Sequence, residues 1–460
     1  MISATLRAEL VSLLGPENVL DGSAPGYDRD ASESRGLRGE PDAVALAGST
    51  EQVAGVVAAC FRHGVAIVPR GGGTGFSGGA VAAGGGVVLS LERMTRVRSF
   101  EPLLWRMEVE AGLTTRDVQR LALENGLLFP PDPGAAEQSQ IGGNVATNAG
   151  GPHAFKYGTT GAWVTGVEAV VAPGRVVRFG GPVRKDVSGY DLTHLLVGSE
   201  GTLAVITAVW LRLLPRPEVT LPVLALYPDT ASGAAAVDRV RGSGLVPAAL
   251  EYLDTATMEA VGASMPVVLP DAPAFAVLAE IDGSAADVER GRPELIEALE
   301  PDAAALLVPE TPADVRSLWR WREGVSIGVT AQRGGKLSED VVVPVEHLGA
   351  AIDAIVEIGA RHGVPGCSWG HAGDGNLHAT FMIDAADSDQ RARAEAAAAD
   401  VFTLAADLGG SVSGEHGIGL VKREHVAARW SADERALQLA VKRSFDPDNL
   451  MNPGKKVPAG

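Results

Sequence analysis

Two histidines, His371 and His378, close the two ends of the run HAGDGNLH. The dipeptide Asp374-Gly375 inside this run is typical of a two-residue hairpin turn. In that register His371 lies directly opposite His378, and Asn376 shares their face as a candidate substrate contact. Opposed side chains in a hairpin have Cβ atoms about 5 Å apart, which suits two ligands of one divalent metal. The sequence therefore predicts half of a metal site.

A third ligand is needed, because catalytic zinc-type sites usually take three protein ligands and keep one position open. The best candidate is Glu415 in SGEHGIG, where a glycine-flanked loop presents a carboxylate next to His416. Adjacent side chains usually point apart, so one of them binds metal while the other faces the substrate. Two histidines and one carboxylate discriminate poorly between metals, and both zinc and manganese fit. The alternative is a histidine pair that only packs on a sheet face.

A βαβ unit precedes the first glycine-rich run of the chain. DAVALA reads as a strand, EQVAGVVAACFRHG has apolar residues at helical spacing, and VAIVP reads as a second strand. PRGGGTGFSGGAVAAGGG follows directly, and the next strand is VVLSL.

The first glycine run matches G-x-G-x-x-G at Gly73, Gly75 and Gly78, the pattern of nicotinamide-dinucleotide binding. That pattern also requires a helix directly after the glycines. The following residues, GAVAAGGG, are too rich in glycine for a helix, since each interior glycine costs about 1 kcal/mol relative to alanine. We therefore predict a strand-loop-strand nest whose backbone N–H groups can hold a pyrophosphate.

A second segment is rich in glycine and small polar residues, and a third starts with a Gly-Ser-Glu-Gly turn and continues into a β-branched strand. PPDPGAAEQSQIGGNVATNAGGP covers residues 130–152, and VGSEGTLAVITAVWLRLLP covers residues 197–215. Each lets a ligand approach the backbone closely, and three such segments together predict one extended ligand held between them. The pattern G-x-x-x-x-G-K-[ST] is absent, which argues against a nucleoside triphosphatase.

Composition excludes several classes of protein. With 460 residues, 46% hydrophobic and 21% charged, the chain reads as a globular protein of two or three domains. The formal charge of −18 argues against a nucleic-acid partner. Two cysteines, Cys60 and Cys367, build no disulfide framework and fit a reducing compartment. We find no signal-peptide pattern and no run of about 20 apolar residues, so a cytoplasmic protein without a membrane span is expected.

The chain resembles a known family in six motifs that occur in the family's order between about residues 20 and 455. These motifs are PRGGGTGFSGG, IGGNVATNAGGPHAFKYG, VGSEGTLAVIT, HAGDGNLH, SGEHGIG and FDPDNLMNPGK. They are similar to those of the FAD-linked D-2-hydroxyacid dehydrogenases of the vanillyl-alcohol oxidase superfamily. That family includes the glycolate oxidase flavin subunit, FAD-dependent D-lactate dehydrogenase and D-2-hydroxyglutarate dehydrogenase.

The resemblance implies an α+β fold with a two-part FAD-binding domain of the vanillyl-alcohol oxidase type. The expected divisions are an N-terminal helical segment (1–37), the FAD-binding domain (38–216), a substrate or cap domain with the metal hairpin (217–410) and a C-terminal helical segment that returns to the flavin (411–460). In residues 217–410 strand-like and helix-like stretches alternate, which predicts an antiparallel sheet with helices on one side.

The resemblance also implies which residues contact FAD. Gln140 stands where the family usually has Ser or Thr, and Ala204 replaces a common Gly. The family usually binds FAD without a covalent bond, and no motif supports His153 as an attachment point. The implied contacts are Pro69, Arg70, Gly71, Gly72, Gly73, Thr74, Gly75, Phe76, Ser77, Pro131, Asp132, Pro133, Gly142, Gly143, Asn144, Thr147, Asn148, Gly150, Gly151, Glu200, Gly201, Ile206 and Asn452.

For the substrate carboxylate, the resemblance points to Arg322, Ser326 and Lys336. We predict one helix over residues 313–330, in which Arg322 and Ser326 are four residues apart and share a face. Ser326 replaces the Thr of some members, and Arg320 is the competing arginine.

The implied reaction is oxidation of a D-2-hydroxy acid to the 2-oxo acid, with hydride transfer from C2 to flavin N5. A metal on His371, His378 and Glu415 would stabilise the alkoxide as a Lewis acid, and His416 would take the hydroxyl proton. Arg322 and Lys336 would fix the carboxylate.

The electron acceptor is expected to be other than a nicotinamide. A quinone, an electron-transfer flavoprotein or an iron–sulfur subunit could serve, and such a partner could place the protein at the periphery of the inner membrane. A homodimer is one option for the assembly. Three alternatives stay open: a non-redox transferase of the alkylglycerone-phosphate synthase type, a flavin subunit that needs partner subunits, and a zinc hydrolase.

Overall fold

The structure is a computed structural model that describes residues 1–266 and 275–458. Its α-helices are α1 (Ala4–Leu14), α2 (Thr50–Arg62), α3 (Thr115–Glu124), α4 (Ile141–Thr147), α5 (Ala154–Tyr157), α6 (Leu192–Leu196), α7 (Thr230–Gly242), α8 (Thr255–Val261), α9 (Ala285–Leu299), α10 (Pro312–Glu323), α11 (Val325–Ala331), α12 (Leu348–His362), α13 (Ser388–Asp407), α14 (Arg423–Arg429) and α15 (Ala432–Phe445). Its strands are β1 (Val19–Asp21), β2 (Ala43–Leu46), β3 (Ile67–Arg70), β4 (Val87–Ser90), β5 (Val97–Glu101), β6 (Arg106–Glu110), β7 (Leu127–Leu128), β8 (Val164–Val171), β9 (Arg175–Gly180), β10 (Val205–Arg212), β11 (Leu214–Pro215), β12 (Val219–Tyr227), β13 (Ala249–Leu253), β14 (Phe275–Gly283), β15 (Ala305–Leu307), β16 (Gly335–Val342), β17 (Gly366–His371) and β18 (Asn376–Ile383).

The chain divides into two compact units, and each is built from separated segments. Unit 1 comprises Met1–Gly150, Thr159–Arg216 and Glu415–Gly460, and unit 2 comprises Gly151–Gly158 and Pro217–Gly414.

Unit 1 contains two main sheets. The first has the order β1-β2-β4-β3, in which β2, β4 and β3 are parallel and β1 is antiparallel. The predicted βαβ unit is present, and β4 lies between its two strands. The second sheet is antiparallel with the order β5-β6-β10-β8-β9.

Helix α2 connects β2 to β3, and its N-cap and its apolar face explain why these residues form a helix on this sheet. Ser49 caps its N-terminus by accepting a hydrogen bond from the backbone N–H of Gln52. Val53, Val56 and Val57 recur at helical spacing and are fully buried in one core cluster. Burying each such side chain contributes about 1.5–3 kcal/mol, so this face holds the helix on its sheet.

The first glycine run contains no helix over residues 71–86, as the sequence predicts. It connects β3 directly to β4. The C-terminal segment adds to the edge of this sheet, because the N–H of Ile67 donates to Leu450 O (2.8 Å) and the N–H of Asn452 donates to Ile67 O (2.7 Å). The C-terminal segment therefore lies beside β3, one of the two strands that the glycine run connects.

Unit 2 is organised around a seven-stranded sheet with the order β15-β12-β14-β13-β17-β18-β16. Every neighbouring pair is antiparallel. Helices α7 and α9 pack closely on one face, where a Cβ added at Gly233 would lie 2.1 Å from the Phe275 ring and one added at Gly291 would lie 3.2 Å from Ile281 Cδ1. The prediction of helices on one side only is wrong. Helices α8, α10 and α11 bury Met258, Leu318 and Val325 against Leu253 and Trp369 of the opposite face. This apolar cluster covers part of that second face.

The second face of the sheet also carries a row of polar side chains. Register places Glu251 opposite His371, His371 opposite Asn376, and His378 opposite Asp340. Directly opposed residues share a face, and so do residues two apart on one strand. These side chains therefore form one polar surface on four neighbouring strands. Within the two described ranges, no helix is long and apolar enough to cross a membrane.

Candidate active site

The two hairpin histidines lie on one face of the sheet, but the predicted register is wrong. His371 opposes Asn376 and His378 opposes Trp369, so residues 372–375 form a four-residue connection. Neighbouring strands hold this wider turn, because the N–H of Gly373 donates to Leu250 O (3.0 Å) and Gly375 O accepts from Val343 N (3.0 Å). The shift amounts to two residues, and an even shift keeps every side chain on its predicted face.

The geometry of the pair suits two ligands of one cation. The imidazole centroids are 5.3 Å apart with rings nearly perpendicular, and one nitrogen of each ring lies within 4.8 Å of the other. His371 and His378 expose only 4% and 9% of their surface. Imidazole nitrogen is an ordinary ligand of zinc and manganese, so this part of the donor set fits the expected metal.

A buried glutamate that the sequence analysis missed orients His371. Glu251 on β13 is 0% exposed, and its Oε1 lies 2.6 Å from His371 Nδ1. Burial by itself would raise the pKa of this carboxyl, but the adjacent His371 and Arg322 outweigh burial and lower it. The available signal was a glutamate in the otherwise apolar run ALEYL, because buried carboxylates are rare unless they are paired.

Arg322 binds the other oxygen of the same carboxylate. Its Nη2 donates to Glu251 Oε2 over 2.5 Å, and the residue is only 7% exposed. Its Nε is buried and has no hydrogen-bond partner among the described residues. Arg320 is exposed, so burial favours Arg322 over the competing arginine. An unsatisfied buried guanidinium N–H is costly and suits an anionic ligand.

The predicted single helix over residues 313–330 is wrong. Helix α10 ends at Glu323, Gly324 interrupts, and α11 begins at Val325. Glycine is a poor helix residue, and Gly324 is the residue that stands between the two helices. Ser326 is consequently exposed while Arg322 is buried, so the two do not share one helix face.

Ser326 contacts Lys336 instead. The ammonium Nζ of Lys336 donates to Ser326 O (2.9 Å) and also bonds the serine hydroxyl. It lies 5.1 Å from the centre of the Trp369 ring. Burial lowers the pKa of Lys336 to about 8. At neutral pH the lysine is therefore mostly charged.

Asn376 and Asp340 complete the polar surface. Asn376 is buried, and its Nδ2 donates to Val341 O (3.0 Å), which fixes the amide on the histidine face. Asp340 accepts from the N–H of Gly414 (2.6 Å) and from the hydroxyl of Ser413 (3.2 Å). These contacts order the last residues of unit 2.

Glu415 and His416 begin the last segment of unit 1. The hydroxyl of Ser77 donates to His416 O (3.1 Å), and the Phe76 ring lies 4.7 Å from the imidazole. The carboxylate of Glu200 accepts from the next N–H groups, Ile418 (2.9 Å) and Gly419 (2.7 Å). Predicted FAD-contact residues therefore hold the loop that carries the predicted base.

The glycine segments of unit 1 have the properties of a site for a large ligand. A Cβ added at Gly72 would lie 2.0 Å from Gln138 O, whereas Gly75 and Gly143 have no neighbouring atom within 4 Å of theirs. Gln140 Oε1 and Ser199 Oγ are buried and have no hydrogen-bond partner among the described residues. Tight backbone packing beside open space and unsatisfied polar atoms fits a bound FAD.

Several residues that are predicted to contact FAD also form hydrogen bonds within unit 1, and these bonds hold the loops in place. Arg70 donates to Gly26 O (2.8 Å) and Arg29 O (2.6 Å). Asn452 donates to Gly79 O (3.0 Å) and Glu200 O (2.7 Å), which ties the C-terminal segment to two loops. Other predicted contacts lie in the same loops and strands: Pro131–Pro133 before α4, Asn144 and Thr147 within α4, Asn148 and Gly150 after it, and Ile206 in β10.

The segment of unit 2 from Gly151 to Gly158 binds β14. His153 Nε2 lies 3.0 Å from Glu280 Oε1, and Tyr157 donates to Asp282 (2.5 Å). Lys156 also forms an ion pair with Asp282. These contacts give His153 a role in packing within unit 2.

Two family models match separate parts of the chain. Residues 216–456 match the family described as FAD linked oxidases, C-terminal domain, and residues 41–180 match an FAD binding domain. Glycolate oxidase subunit GlcD of Bacillus subtilis is 36% identical over 99% of this chain and 97% of its own length. A D-lactate dehydrogenase of Anaerostipes hadrus is 33% identical over 96% of this chain and 95% of its own length.

The fold also matches a solved structure. A p-cresol methylhydroxylase with bound substrate superimposes with a TM-score of 0.83, covering 99% of this chain and 96% of that chain at 20% identity. The predicted α+β fold, with an FAD-binding part and an antiparallel-sheet part, is confirmed. The resemblance carried by the six motifs is confirmed as well, and the chain belongs to the family of FAD-linked oxidases.

Proposed function

We propose that the protein uses FAD to oxidise a D-2-hydroxy acid to the corresponding 2-oxo acid. The observation that carries the proposal is the buried Nε of Arg322, which has no hydrogen-bond partner among the described residues. The same guanidinium group is linked through the Glu251 carboxylate to His371. An anion-binding group next to two metal-type ligands fits a substrate with a carboxylate beside a hydroxyl. The names of the relatives in B. subtilis and A. hadrus support this substrate class.

The chain's own residues bind, orient and deprotonate the substrate. Arg322 and Lys336 hold the carboxylate through charge-assisted hydrogen bonds, and Ser326 positions the lysine. Asn376 contacts the substrate from the histidine face. His416 takes the hydroxyl proton, since a neutral imidazole is a suitable base near neutral pH. FAD, when bound by the glycine segments, supplies a hydride acceptor.

His371, His378 and Glu415 would hold one divalent metal, either zinc or manganese. Support comes from the spacing of the histidine nitrogens and from the bond between Glu251 and His371, an arrangement typical of metal-binding imidazoles. The ion, when bound, supplies Lewis acidity at the hydroxyl oxygen.

The acceptor is proposed to be a quinone, an electron-transfer flavoprotein or an iron–sulfur subunit. The name of the B. subtilis relative, an oxidase subunit, supports a partner protein. The protein is proposed to be cytoplasmic, and such a partner would place it at the periphery of the inner membrane.

The test is anaerobic bleaching of the purified yellow protein by D- and L-2-hydroxy acids, with and without chelator. We expect D-acids to bleach the flavin, chelator to suppress bleaching, and denaturation to release the FAD. Full activity in metal-stripped protein would refute the metal role. A yellow protein that no hydroxy acid bleaches would favour the non-redox transferase or a subunit that needs its partners, and a colourless one would favour a hydrolase.

A further inference from the structure

Glu251 is a fully buried carboxylate that contacts two proposed site residues at once. Its Oε2 accepts from Arg322 Nη2 (2.5 Å), and its Oε1 lies 2.6 Å from His371 Nδ1. We infer that Glu251 is a positioning residue that fixes the carboxylate-binding arginine and a metal-binding histidine in one geometry. The inference rests on the function proposed above and adds a residue to its site.

The bond to Glu251 fixes the chemical state of His371. A carboxylate accepts hydrogen bonds only, so Nδ1 must carry the hydrogen. In the neutral ring Nε2 then carries the lone pair, which is the tautomer a metal requires. The same bond limits rotation of the imidazole ring.

The bond also fixes the direction of the arginine. The guanidinium group is planar and presents its donors in a rigid fork. With Nη2 held by Glu251, the buried Nε of Arg322 keeps a constant orientation. A carboxylate substrate and a metal would consequently be held at a constant separation. This separation depends on the length of the Glu251 side chain.

A neighbouring residue provides a matched control. Glu280 on β14 is 2% exposed and opposes Ala249, so it shares a sheet face with Glu251. It too pairs with an imidazole, His153 (3.0 Å), and it accepts from Trp319 Nε1 (2.7 Å). Its described hydrogen bonds include neither Arg322 nor His371. Replacing Glu280 therefore removes a buried carboxylate of the same sheet without removing a described hydrogen bond of Arg322 or His371.

The test compares Glu251→Gln with Glu280→Gln in the purified, FAD-loaded protein. Zinc affinity is measured by competition with a chromogenic chelator, and KM for the hydroxy acid is measured at saturating zinc. We expect Glu251→Gln to bind zinc about 10–100-fold more weakly and to raise KM. Glu280→Gln should keep both values close to those of the wild type. Unchanged values in Glu251→Gln, or equal losses in both variants, would overturn the inference.

Glu251→Asp covers the case in which Glu251→Gln fails to fold. It retains the charge but is one methylene too short to reach both partners, so zinc affinity should still fall roughly tenfold. Wild-type affinity and KM in this variant would also overturn the inference. A wild-type protein that binds no zinc or manganese contradicts the metal role in the proposed function, whereas normal metal binding with an insensitive Glu251 contradicts only the positioning role.

Discussion

The loops of unit 1 and the sheet face of unit 2 are built in different ways. In unit 1, the predicted FAD site is rich in glycine, and its polar side chains mostly tie loops together, as Asn452 does. In unit 2, the predicted substrate site consists of charged and polar side chains that come from helices α10 and α11 and from strands β16 and β18. The first site depends on where the backbone can approach a ligand, and the second depends on which side chains share a face.

This difference determines how each site responds to substitution. A backbone site is damaged by added atoms, because an extra Cβ occupies space that the ligand needs. A side-chain site is damaged by lost or misplaced charge. The following predictions test this distinction, from the largest expected effect to the smallest.

His416→Ala should have the largest effect, although His416 belongs to the unit with the backbone site. Loss of the general base is expected to slow flavin reduction by about 10²–10⁴-fold while FAD stays bound. Stopped-flow reduction under anaerobic conditions measures this rate. His194→Ala in the same unit is the control, since His194 pairs with exposed Asp191 and Gly161 O. A full reduction rate in His416→Ala would sink the base assignment.

Arg322→Lys should mainly raise KM, because lysine keeps the charge but lacks the planar fork. We expect roughly a 10–100-fold loss in kcat/KM, with FAD content unchanged. Steady-state kinetics with a hydroxy acid measures the loss. Arg320→Lys, at an exposed position two residues away, should match the wild type. If the two variants were equally impaired, the choice of Arg322 would be wrong.

Gly75→Ala tests the backbone site directly. The added methyl meets no protein atom within 4 Å, so the fold should be retained, but it enters the space proposed for FAD. FAD affinity is expected to fall about tenfold or more, a loss of about 1.4 kcal/mol. Flavin fluorescence titration of the apoprotein measures this. Gly84→Ala, which is equally open and lies near the end of the same loop, should bind FAD normally. Equal binding by both variants would contradict the backbone model of this site.

The pH dependence of Lys336 should be the smallest effect. Burial lowers the pKa of this lysine to about 8, so its positive charge is present below pH 8 and is lost above it. KM for the hydroxy acid should therefore rise a few-fold between about pH 7 and pH 9. Lys336→Met should have a higher KM that no longer changes over this range. The same rise of KM in Lys336→Met would assign the titration to another group.

The sequence predicted the parts of the fold that local patterns determine. The βαβ unit follows from apolar periodicity, and the helix-free loop over residues 71–86 follows from its glycine content. The hairpin register could not be predicted, because Leu250 and Val343 bind the turn from distant parts of the sequence. The break at Gly324 separates Arg322 from Ser326, and the helical spacing of the sequence did not reveal it.

The candidate site was predicted through its motifs and missed where motifs are absent. His371 and His378 stand in a recognisable turn, and an even register shift left them on one face. Glu251 lies 120 positions from His371 in the chain. Only the pairing of β13 with β17 brings the two together, so the sequence offered no more than an isolated charge in an apolar strand.

The way the chain alternates between the two units has a consequence for engineering. It passes from one unit to the other after Gly150, Gly158, Arg216 and Gly414. Exchanging residues 217–414 with those of a relative would leave His153, Lys156 and Tyr157 facing foreign replacements for Glu280 and Asp282. A chimaera intended to change substrate preference should therefore carry residues 151–158 from the same donor, as a second insert of eight residues.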